Sequence, residues 1–495
     1  MADTSAMKDI RGDDDAQLAA MGHKAELKRN FSLLSMLGLA FAILNSWTAL
    51  SASLSLSLPS GGCVSVVWGL VDNTIGLQTF EAQRWHQFLI YTGYNIAAFI
   101  INAVMNNGLP YFTKGALLNQ TQVIWSLSGF AIVSITLLAC SSPNYNSGEF
   151  VFGKFINETG WPDGVAWLLG LLQGGLGLTG FDGVAHMIEE IPNPSVVGPK
   201  VMIGCVCIGT VTGSIFLIVL LFVAGDIYKV IDSAAGCLLQ IFKDATGNNA
   251  GSICLLMFPL VCILFAATSI MTTSSRMIYA FASNTSCKAK LMAMGRDGGL
   301  PASPFFSRVH PKLNVPLNAL YLTFAVITVF GLIFLGSSSA FNAIISSSVV
   351  MLDIAYGIPI AVNCIRGRTM LPERSFVLPN TLGWIANIIS LAYISLTTVL
   401  FLFPPVLPAT GSSMSECLQL YLSSLSKGLL TEYVLLDYCV AAFGIILVIS
   451  TFQWVVDGRK NFTGPRADVD ILAGVIEEVP THTGTTETHG KSDGK

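Results

Sequence analysis

The residues best equipped for chemistry cluster in one short run, FDGVAHMIEE at 181–190. Asp182, His186 and Glu189 or Glu190 recur at three- and four-residue spacing, which sets them on one face of a helix. A carboxylate beside an imidazole can hold a cation, or take up and release a proton near neutral pH. A second carboxylate, Asp353, stands beside Tyr356 in an otherwise apolar run, 340–365. An isolated charge at that depth in a bilayer costs about 2.5–3.5 kcal/mol on insertion scales, so Asp353 needs a partner or a wet path. Asp182, His186, Glu189 and Asp353 are therefore the candidates for proton transfer.

The segment ahead of the first cluster must position it. Residues 165–172, VAWLLGLL, are apolar enough for hydrocarbon, yet Gly174, Gly175, Gly177, Gly180 and Gly183 follow in quick succession. Each glycine costs a helix about 1 kcal/mol relative to alanine, so the spacing predicts a helix that breaks. Non-helical backbone at membrane depth is tolerated only where protein buries it or a wet cavity exposes it, and carriers use such breaks as binding sites. Close helix packing is the plainer explanation for the GxxxG pair Gly170 and Gly174. It leaves Gly175, Gly177 and Gly180 unexplained. Pro192 and Pro194 then end the segment.

Composition fixes the class. The 495 residues are 52% hydrophobic and 11% charged, with mean hydropathy +0.64. A soluble domain carries about 25% charged residues, so this is an integral membrane protein. Its long apolar runs make it all-α, since barrel strands would be short and alternating. Ten runs of spanning length lie at 31–58, 86–109, 119–140, 165–190, 201–225, 251–284, 317–336, 340–365, 380–404 and 434–456. The net charge of −4 says little, because charge placement governs topology. With both termini cytoplasmic, the outside segments hold only Arg84, Lys154, Lys229, Lys243 and Lys427, and most other basic residues lie inside, as the positive-inside rule requires.

The chain divides into a polar tail, 1–30, a membrane domain, 31–456, and a second tail, 457–495, both tails reading as disordered and cytoplasmic. No cleavable signal peptide precedes the first span. The sequon at Asn157 falls outside, open to glycosylation. The cysteines sit mostly inside apolar runs without CxxC spacing; Cys237 and Cys417 both fall outside, which admits a disulfide. Arg276 closes the segment 251–284 and is expected to snorkel to the cytoplasmic interface. The basic loop 288–316 is too rich in glycine and proline turns to be a topology signal alone. The first span is unusually polar, and its Asn45-Ser46-Trp47 reads as a second break facing the glycine cluster. The Gly209/Gly213 pair reads as a packing face. No Walker A motif, GxSxG elbow or metal-ligand cluster occurs, which disfavours ATP-driven transport and an enzyme, and no cofactor, metal or nucleic acid is implied.

GLTGFDGVAHMIEEIPNP at 177–194, NSGEFVFGKFINETGWP at 146–162, and RDGGLP with VHPKLNVPLNAL in the basic loop resemble the fungal amino acid/choline permeases. These belong to the amino acid–polyamine–organocation (APC) superfamily, and the similarity covers nearly the whole chain outside the tails. The resemblance implies an inverted-repeat bundle of twelve helices whose first and sixth are broken, importing amino acids, γ-aminobutyrate or choline across the plasma membrane by proton-coupled alternating access. Substrate contacts are implied for Asn45, Ser46 and Trp47 in the first helix and for Gly174, Gly177, Thr179, Gly180 and Phe181 in the sixth, with Tyr356 opposite. For a quaternary ammonium, the faces of Trp47, Phe181 and Tyr356 would replace hydrogen-bond acceptors. The chain departs from the family after SGGCVSVVWGL at 60–70, where the resemblance implies that about ten residues stand in place of the second and third helices. Ten spans instead of twelve imply an impaired carrier or an imperfect gene model. The alternative is a nutrient sensor derived from a permease.

Overall fold

The computed structural model describes residues 33–57, 84–104, 115–153, 161–168, 177–231, 237–282, 303–306, 308–310, 313, 315–336, 338–368, 377–400 and 438–459. Every described element is helical. The reason is elementary: in hydrocarbon each peptide group must bond within its own segment, so a twenty-residue apolar run has no alternative to a helix.

The first span is two helices, α1 (Leu33–Leu44) and α2 (Ser46–Ser57), hinged at Asn45. Then come α3 (Arg84–Val104), α4 (Gly115–Ser141), a 3-10 segment (Phe181–Glu190), α5 (Pro194–Val223), α6 (Cys237–Thr246), α7 (Asn249–Ala282), α8 (Leu317–Gly336), α9 (Ser338–Ile365), α10 (Asn380–Leu400) and α11 (Tyr438–Gln453). Seven of the described helical spans are long and apolar enough to cross a membrane. All ten apolar runs in the sequence hold a helix, with ends displaced by a few residues. The fourth run is the exception in form, being helical at 163–168 and then a turn and a 3-10 segment from Gly177 onward.

The long α7 is the axis of the bundle, packed against α1, α3, α4, α6, α8 and the 3-10 segment. Helix α1 lies between α4, α5 and α7, while α9, α10 and α11 gather on the side of α8. The core is built from Phe41, Trp47, Val133, Leu137, Phe216 and Leu220, together with the apolar face of α6. That face carries Cys237, whose thiol is free and which burial pushes up in pKa; Cys417 lies outside the described residues. Arg276, in α7, is 7% exposed, so protein encloses most of its side chain. In the basic loop, the His310 amide donates to the Val315 carbonyl at 2.9 Å and the Leu313 amide to His310 Nδ1 at 3.2 Å, so this stretch is a built turn. Asn157 lies outside the described residues.

One side chain sets the geometry of the centre. A Cβ added at Gly177 would lie 2.5 Å from Leu50 Cγ, and one at Gly213 would lie 2.5 Å from Leu50 Cδ1. Leu50, from α2, is thus wedged between the turn that leads into the 3-10 segment and the middle of α5. One turn earlier, Ser46 sits flat against Gly209, where a Cβ would meet its Oγ at 2.3 Å. The Gly209/Gly213 pair is a packing face, as its spacing implies. Gly177 belongs to the same contact, so close packing explains a glycine that the sequence assigned to the break.

Overpacking a tight core costs roughly 1–3 kcal/mol. Gly213→Val should therefore lower the thermal midpoint of the detergent-solubilised protein, and Leu50→Ala in the same chain should recover part of the loss. Equal and additive losses from the two changes would contradict the wedge.

Candidate functional site

The two interruptions meet. Asn45 has φ +44° and Gly180 has φ +97°, the left-handed region that L side chains rarely adopt. Ile43, two residues before the first hinge, lies where a Cβ at Gly180 or Gly183 would approach within 3.0 or 2.7 Å. Side chains at either glycine would push the hinges apart. Gly177–Gly180 is a turn, and Phe181–Glu190 is wound as a 3-10 helix with a kink at Met187. Asn193, at φ +50°, closes the segment, and Pro194 opens α5.

The hinges differ in what they expose. At Asn45 the ladder survives: its amide donates to the Phe41 carbonyl at 2.9 Å, and its own carbonyl accepts from the Ala49 amide at 2.8 Å and from Thr48 Oγ1 at 2.9 Å. Asn45, Ser46 and Trp47 are all buried. This is a kink with its peptide groups satisfied. The Ser46 hydroxyl is buried without a hydrogen-bond partner. Trp47 is fully enclosed, donating from Nε1 to Ser126 Oγ at 2.9 Å and meeting Phe216 edge-on at 5.0 Å between ring centroids. It locks α2 to α4 and α5, and is not brought to Phe181 and Tyr356.

At the second hinge, chemistry gathers. His186 Nε2 lies 3.2 Å from Asp182 Oδ2, the i,i+4 pairing expected from spacing, with Asp182 side-chain exposure at 17% and His186 at 35%. The Phe181 and Tyr356 rings stand 5.7 Å apart at 36°, joining the 3-10 segment to α9. The Tyr356 hydroxyl is buried, interacts with the Asp182 carboxylate, and falls short of full hydrogen-bond geometry to any group. Asp353, one turn before Tyr356, accepts from Thr397 Oγ1 of α10 at 3.1 Å. The partner that Asp353 requires is thus a hydroxyl on the next helix. Spacing within α9 gives no sign of it, and Thr397 is one of several hydroxyl residues in its own apolar run. Thr179 is in the turn; Gly174 and the Glu189 side chain lie outside the described residues.

The Phe181–Tyr356 ring pair and the Asp182 carboxylate thus stand together at the second hinge. The sequence as a whole has known relatives. A family profile described as amino acid permease matches residues 32–423. This chain belongs to the amino acid permease family. It is 28% identical to the choline transporter of Saccharomyces cerevisiae over 81% of its length and 80% of the relative's. It is 33% identical to a putative amino acid/polyamine transporter of Macrophomina phaseolina, over 70% of this chain and 73% of that one. It is also similar to an uncharacterised amino-acid permease of Schizosaccharomyces pombe, 26% identical over 94% of this chain and 91% of the relative. That alignment runs over 534 positions, more than the 495 residues here, so the relative carries residues with no counterpart in this permease. Residues 58–83, where the sequence reading expects the two helices to be missing, lie outside the described residues.

A buried hydroxyl without a good partner adds little to stability, so its removal is nearly neutral or favourable if its role is structural. Tyr356→Phe should leave the thermal midpoint of this permease unchanged or higher, while weakening ligand-induced thermal stabilisation about tenfold in concentration. Unchanged ligand response would take the Tyr356 hydroxyl out of the site.

Proposed function

We propose that this family member is a secondary carrier that imports a small amine across the plasma membrane by alternating access, coupled to protons, with both termini in the cytoplasm. The observation that carries the reading is the convergence of Asp182, Phe181 and Tyr356 at the interrupted sixth helix, beside the hinge at Asn45. The named relatives handle choline, amino acids and polyamines, which share a cationic nitrogen. Asp182 supplies the counter-charge for it, and the Phe181–Tyr356 wall supplies π-faces that attract a cation whether or not it has N–H donors. With ring centroids at 5.7 Å, the two rings touch each other, so they form one wall and not a cage around the ligand.

A substrate carboxylate needs donors, and the first amides of the 3-10 segment lack partners within the helix. Asn45 and Ser46 contribute by setting the hinge, Trp47 by fixing it to the scaffold, and Gly177, Thr179 and Gly180 by shaping the turn. Gly174 lies outside the described residues and keeps its assignment from the resemblance alone. Asp182, His186, Glu189 and Asp353 remain the groups from which the coupling proton site is drawn. Lacking two helices of the first repeat, the chain has an open wall, and its rate of transport is low for that reason.

Two measurements test this. In a strain without its own permeases, uptake of labelled choline should be inhibited by other cationic amines, and Asp182→Asn should abolish it; uptake indifferent to Asp182 would overturn the site. Inserting the corresponding segment of the yeast choline transporter after residue 71 should raise uptake by at least about tenfold, if closing the wall recovers about 1.4 kcal/mol of barrier. Full-rate uptake by the 495-residue chain would refute the impairment.

A further inference from the structure

Thr397 is 3% exposed, and its hydroxyl is over-subscribed. Oγ1 lies 3.1 Å from Asp353 Oδ2, 3.0 Å from the Tyr393 carbonyl and 3.2 Å from the Ile394 carbonyl. A threonine hydroxyl has one hydrogen and two lone pairs, so it can serve only one of these three acceptors at a time. Its orientation is therefore a choice, and the state of Asp353 decides it.

We propose that Thr397 is a positioning residue that lets Asp353 gain and lose a proton inside the bundle without leaving a polar group unpaired in either state. With Asp353 ionised, Thr397 Oγ1–H donates to Oδ2. When a proton arrives from bulk water, the carboxylic O–H donates to Thr397 Oγ1, and the threonine hydrogen turns to the Tyr393 carbonyl. Release reverses both moves. No bond other than the carboxyl O–H forms or breaks, and the hydroxyl turns about one torsion. A valine at 397 would offer neither the donor for the charged form nor the acceptor for the neutral form.

The surroundings leave Asp353 as the titrating centre of this layer. Tyr356, on its own helix, faces Asp182, which is paired with His186. From α10 comes Tyr393, and from α8 only Tyr321. Helix α11 bears Tyr438 and Cys439 in its first turn, with side chains outside the described residues, and no titratable residue from Phe443 to Gln453. Tyr356 thus stands between two carboxylates, one paired with an imidazole and one with a hydroxyl able to reverse its hydrogen bond. The second is the better suited to cycling, because its partner changes roles without itself titrating.

This proposal rests on the transport reading, and its test does not require transport. Infrared difference spectra of the purified full-length chain in lipid, recorded against pH, should show a carboxylic C=O band that Asp353→Asn removes. In Thr397→Val the midpoint of that band should move to higher pH by about one unit, since a hydrogen bond to a charged group is lost. Thr397→Ser should restore the parent midpoint, and Thr397→Ala should reproduce the shift if the valine variant does not fold. A band that survives Asp353→Asn, no titrating band, or the same midpoint with valine or alanine at 397 would overturn the proposal. The expected shift together with absent or pH-independent uptake would leave Thr397 in its role and count against the transport reading.

Discussion

The contact on which the site depends is the seating of Leu50 between Gly177 and Gly213. It joins the first interrupted helix to the second, and both to α5, through a gap where a single added methyl group would collide at 2.5 Å. In lipid no hydrophobic force drives helices together, because lipid tails are as apolar as leucine; close approach through small residues takes its place. The glycines thus do two jobs in adjacent positions. Gly177 yields volume, and Gly180 supplies a backbone angle of +97°.

The consequence is an asymmetry between the two hinges. The hinge at Asn45 keeps its hydrogen bonds and is enclosed on all sides, with Trp47 bolted to Ser126 and stacked edge-on against Phe216. The hinge at Gly180 leads into a 3-10 segment that carries its polar residues, Asp182 and His186, into partly open space. A rigid hinge therefore abuts a reactive one. Movement at the second can be read out by Ile43 and Leu50 on the first, which touch Gly183 and Gly177.

The fold was almost wholly legible in the sequence, because twenty apolar residues in a bilayer have one conformational solution. The pairing of Asp182 with His186 was legible too, since both sit on one segment four residues apart. What could not be read was anything decided between helices. Trp47 has the composition of a cation-binding ring and the position of a core residue, and only the partners Ser126 and Phe216, far away in sequence, separate the two. Gly177 looks like a helix breaker until Leu50 is placed against it. Thr397 is 44 residues from Asp353, on another helix, and no periodicity links them.

The same reasoning bears on the missing segment. Helix α1 is covered by α4, α5 and α7, so the hinge at Asn45 is supported without the second and third helices of the family pattern. The wedge and its three supporting helices all lie within the described residues, so both hinges are held in register by contacts among α1, α2, α4, α5 and α7. Carrying a solute is a stricter requirement than holding a shape. A carrier must exclude water and ions on one side while opening on the other, whereas the Leu50 wedge requires only that three helices stay in contact.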